Sequence, residues 1–81
     1  MKTKEIENLK SEIKFDLQSY VSLRNVLTSK GVDMYATKVV YQNTGSLLAD
    51  FKITVDEIKE LVEWAKAEFR NLIQIETNNN I

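Results

Sequence analysis

Cysteine, histidine and proline are absent from this 81-residue chain, and glycine occurs only at Gly31 and Gly45. Each absence excludes something. Without cysteine there are no disulfides and no thiolate metal sites, which fits a reducing compartment. Without histidine, the commonest metal ligand and the commonest general base are missing. Two isolated glycines cannot form a phosphate-cradling loop. The opening MKTKEIENLK has no apolar segment of the secretory kind. No apolar run approaches the roughly 20 residues needed to span a bilayer. The expectation is a cytoplasmic protein without membrane contact.

A chain this short buries only about 60% of its unfolded surface. Disulfides, metals or oligomerisation usually supplement so small a core. With the first two lacking their usual ligands, a homo-oligomer is expected, most simply a dimer.

Charge is nearly balanced, with 11 basic and 12 acidic side chains. Residues 1–30 carry net +2 and residues 53–81 net −3. Opposite signs at the two ends favour pairing of the terminal segments. The pI of about 5.4 argues against a polyanion partner. Nine Lys, seven Ile and seven Asn have AT-rich codons, a composition suited to a low-GC bacterium, its phages or a mobile element.

Two stretches have helical spacing. Over residues 4–29, Ile6, Leu9, Ile13, Leu17, Tyr20, Leu23 and Leu27 share a face. Thr3 suits the N-cap, and Lys30-Gly31 reads as the end of that helix. Twenty-six residues would span roughly 39 Å, longer than a compact domain of this size. Over residues 55–75, Ile58, Leu61, Val62, Ala65, Phe69, Leu72 and Ile73 share a face. Thr54 and Glu57 match a capping box.

The middle, YATKVVYQNTGSLLADFKI, reads as a β-hairpin over residues 35–53. Tyr35, Thr37, Val39, Val40 and Tyr41 favour strands, and Asn43-Thr44-Gly45 is a turn signal. One register pairs Tyr41 with Leu47, Val39 with Ala49, Thr37 with Phe51 and Tyr35 with Ile53 on one face. The other face pairs Lys38 with Asp50 and Val40 with Leu48. The predicted architecture is α+β in the order α-β-β-α, a helix–β-hairpin–helix. It forms a single domain over residues 1–76, followed by a flexible polar tail at 77–81. The alternative is an all-α bundle, with Asp33 capping a helix from Met34 and Ser46 capping one from Leu47 to Phe51.

Candidate functional residues are surface residues. Phe15, Ser19, Ser22 and Val26 form a stripe behind the apolar face of the first predicted helix, and suggest a self-association or partner surface. Trp64, beside Leu61 and Ile75, reads as a core cap or as an interface anchor. Open hairpin edges could recruit another strand. Arg24, Tyr35 and Tyr41 are the side chains suited to a nucleotide-type ligand held between subunits. Glu57, Glu60 and Glu63 read as a solvated face, and no loop has carboxylate spacing for Mg²⁺ or Ca²⁺. No catalytic residue, metal ligand or cofactor is expected.

The predicted function is non-enzymatic binding. The chain is expected to be a homo-oligomeric accessory or inhibitory protein of a phage or mobile element that occupies a host protein. One alternative is an oligomeric binder or sequestering protein for a small nucleotide-like ligand. Another is a DNA-binding regulator, although the scattered lysines of the first helix make nucleic acid the weaker partner.

Overall fold

The computed structural model describes residues 3–22 and 28–79. It consists of three helices, α1 (Thr3–Gln18), α2 (Ser29–Ala49) and α3 (Val55–Asn79). The described residues contain no strand. The predicted α+β fold with a hairpin over 35–53 is therefore corrected to an all-helical bundle.

Cross-helix contacts set the directions. Lys14 pairs with Glu68 at 3.4 Å, and the Lys10 ammonium lies 5.5 Å from the Trp64 ring centre, so α1 and α3 run parallel. Asp16 meets Asn43, and Asp33 meets Arg70 at 2.7 Å, so α2 runs antiparallel to both. The core lies between the helices. Leu9, Ile13 and Leu17 come from α1, Val32, Ala36, Val39 and Val40 from α2, and Ile58, Leu61, Ala65 and Phe69 from α3.

The hairpin reading fails because a stronger periodicity runs through the same residues. Val32, Ala36, Val39, Val40 and Thr44 are all buried, at the spacing of one helix face. Strand propensity is a weak local preference, and burial along a helical stripe overrides it. The supposed turn is helical too. Thr44 donates its hydroxyl to the Val40 carbonyl at 2.8 Å, and Asn43 donates its amide to the Val39 carbonyl at 2.9 Å. Each polar side chain is thus satisfied one turn back. Lys38 and Asp50 do not face one another. Asp50 is the C-cap of α2, twelve residues further along the same helix.

Helix one also differs from expectation. It stops at Gln18 instead of continuing to residue 29. The Asp16 carbonyl accepts from both the backbone N–H of Ser19 at 3.2 Å and its hydroxyl at 2.7 Å. Tyr20 then packs its ring 5.1 Å from that of Tyr35. Gly31 begins a helix rather than ending one. Thr28 is the N-cap of α2, and its hydroxyl accepts from the Gly31 N–H at 3.1 Å. The long helix is α3, whose 25 residues span about 37 Å.

α2 ends in a Schellman turn. The Phe51 N–H donates to the Leu48 carbonyl at 3.1 Å, and the Lys52 N–H to the Leu47 carbonyl at 2.8 Å. The C′ position of that turn requires a positive φ, and Phe51 takes it at 57°. Glycine is the usual residue there. The capping box that starts α3 forms as predicted. Thr54 N–H donates to Glu57 Oε1 at 2.8 Å, and Glu57 N–H donates to Thr54 Oγ1 at 3.1 Å.

Candidate interaction face

Apolar side chains left outside the core are the features most able to act on other molecules. The large exposed ones are Phe15, Met34, Tyr41, Leu48, Phe51, Val55 and Ile75. Three of them fall in one line on α2. Met34, Tyr41 and Leu48 stand seven residues apart and are 62%, 50% and 37% exposed. Seven residues are nearly two full turns, with a drift of about 20°. The line therefore runs almost straight along the back of α2, opposite the buried Val32–Ala36–Val39 face.

Between those residues the line is completed by Lys38 and Gly45, both exposed. Met34 and Lys38 share the N-terminal half of the line with Lys30, and Lys66 of α3 flanks it in an open apolar depression. Lys66 is paired with Glu63 at 3.4 Å. At the C-terminal end stands Phe51, 96% exposed. The helix is held in place by its other faces. Asn43 reaches Asp16 on α1, and Asp33 accepts from Arg70 on α3.

The residues predicted as sites are dispersed. Phe15 is exposed on the outer side of α1, while Ser19 and Ser22 lie beyond its end at Gln18. These three positions do not lie along one helix. Val26 and Arg24 lie outside the described residues. Trp64 is half-buried against the core, beneath the Lys10 ammonium. Ile75 is exposed about 16 Å further along α3. Tyr35 and Tyr41 leave α2 on different sides. Tyr35 leans on Tyr20, and Tyr41 points out along the back.

Met34, Lys38, Gly45 and Phe51 are not among the surface candidates that the sequence suggests. Their signal, the seven-residue spacing of Met34, Tyr41 and Leu48, is visible there. The strand register hid it by assigning Tyr41 and Leu48 to opposite faces.

Other chemistry has less support. Among the described residues no group of three or more acidic side chains is placed to hold a metal ion. A wider groove of about 530 Å³ lies between α1 and the α2–α3 turn. Its floor is only Leu9 and Leu47, and Glu5, Glu12 and Lys52 rim it. Glu57 is the one described group whose acidity is clearly moved. The Thr54 backbone N–H holds its carboxyl below the usual carboxylate range. That is a helix cap at work and not a reactive acid. No described helix is long and apolar enough to cross a membrane.

No protein-family model, curated protein or solved structure matches the chain.

Proposed function

We propose that this chain is a non-enzymatic interaction protein, acting in the cytoplasm, that docks the back of α2 against a protein surface. The observation that carries the reading is the straight line of Met34, Tyr41 and Leu48 on a helix whose opposite face already fills the core. Single exposed apolar residues are ordinary on protein surfaces, but aligned ones at heptad spacing are the pattern of a helix that packs on both sides. Aromatic and Met side chains are also enriched in interface cores.

The test is site-specific photo-crosslinking in cells. A photoreactive residue replaces Tyr41, Leu48 or, as control, the exposed Lys59 on α3. The reading expects covalent protein adducts from the two α2 positions and few from the control. Equal yields at all three positions, or none at any, would overturn it.

A further inference from the structure

Gly45 sits inside α2, four residues before its last, where glycine costs up to about 1 kcal/mol relative to alanine. Nothing among the described residues requires it. A Cβ built there would meet no atom within 4 Å, and its φ is not positive. Phe51 poses a second problem. It occupies a left-handed position that favours glycine, with its ring almost wholly in solvent. Gly45 leaves open space on the back of α2, and Phe51 stands uncovered just past its end, so both leave surface for a partner to cover.

We infer that the face is occupied by a second copy of the chain, packed through α2 against α2 in antiparallel orientation. Tyr41 of each copy sits over its partner's Gly45. This inference rests on the docking reading above and names its partner. A two-fold interface must be self-complementary, and this face is. The register that sets Tyr41 on the partner's Gly45 brings Lys38 level with the partner's Leu48. It also brings Met34 to the end of the partner's α2, beside the turn that carries the exposed Phe51. The apolar stem of Lys38 can lie along the partner's Leu48 while its ammonium reaches water.

Charge selects the orientation. The N-terminal half of the line carries Lys30 and Lys38 beside Asp33, while Asp50 caps its far end with Lys52 just beyond. Antiparallel pairing brings Lys38 within about one turn of the partner's Asp50. The two Lys38 side chains stay about 15 Å apart along the axis. Parallel pairing would stack Lys38 on Lys38 and Asp50 on Asp50. The chain's small size points the same way, since a core this limited gains from association.

The absence of cysteine makes a direct test possible. Lys38→Cys and Leu48→Cys are prepared as separate full-length variants, and each is oxidised mildly alone and in a one-to-one mixture. A disulfide needs Cα atoms within about 7 Å. The antiparallel register expects a covalent dimer in the mixture and almost none from either variant alone. Self-linked dimers of each variant would overturn the antiparallel arrangement.

Sedimentation equilibrium supplies the second measurement. The unmodified chain should associate, and Tyr41→Glu should weaken association at least about tenfold, the equivalent of 1.4 kcal/mol. The circular dichroism of that variant should be unchanged, because Tyr41 lies outside the core. A monomeric unmodified chain at high micromolar concentration would overturn the second-copy inference. The docking reading would survive that result if crosslinks at Tyr41 and Leu48 still lead to a different protein.

Discussion

Asn43 donates its side-chain amide to Asp16 Oδ2 and to the Val39 carbonyl, both at 2.9 Å. One side chain thereby ties α2 to α1 and satisfies its own place in the helix. Asn43→Asp turns this contact into two facing carboxylates. A carboxyl next to a like charge has a raised folded-state pKa, so the penalty is absent under acid conditions and grows as pH rises. The variant should be less stable than the parent by about 1–3 kcal/mol at neutral pH and should regain most of this near pH 3. Urea unfolding at both pH values checks it. Equal stability of variant and parent at neutral pH would mean the contact is not formed.

Among the described residues Phe51 is the one non-glycine at positive φ, 57°, with its ring 96% exposed. A left-handed residue other than glycine costs about 1–2 kcal/mol, partly offset by the greater freedom glycine has when unfolded. Phe51→Gly should therefore raise stability by about 0.5–1 kcal/mol, measured by urea unfolding at low micromolar concentration. A loss of stability would show that the ring packs within the single chain.

Gly45→Ala separates the helix from the hairpin. In a helix with open space at the Cβ, alanine should add about 0.5–1 kcal/mol. At a hairpin's left-handed turn position the same change would destabilise. Thermal unfolding at low concentration gives the sign directly.

The Thr54–Glu57 capping box has a pH signature. The Glu57 pKa is lowered in the folded state by the Thr54 N–H. Its contribution to stability is therefore present above the unfolded value, about 4.3, and is lost as pH falls through the lowered folded value. Glu57→Gln keeps a hydrogen-bond acceptor but cannot titrate. The variant should be less stable than the parent at neutral pH, and the difference should vanish in acid. A constant difference across that range would remove the ionised cap from the account.

The ends of the chain were more legible in the sequence than its middle. In α3 the predicted face, from Ile58 through Phe69 to Ile73, is the face that packs in the core, and the capping box set its start. In α1 the predicted face holds from Ile6 to Leu17. Its end was misjudged because Lys30-Gly31 reads as a helix stop when taken locally. The structure uses Gly31 in a first turn instead, capped by Thr28. The middle was misread because α2 places two polar residues, Asn43 and Thr44, on its inward side. They break the apolar stripe into pieces that alternate like a strand. Their partners, Asp16 on another helix and the Val40 carbonyl one turn back, become evident only once the chain is folded. The outward line was lost with it, because a residue's face depends on the element that carries it.

The central claim is that the back of α2 is a contact face. A dilution series of backbone amide spectra tests it most directly. Signals of Met34, Lys38, Tyr41, Gly45 and Leu48 should shift or broaden together as concentration rises, while those of Lys59 and Glu60 stay fixed. Spectra independent of concentration, or changes centred on α1 or α3, would contradict the claim as it applies to a second copy.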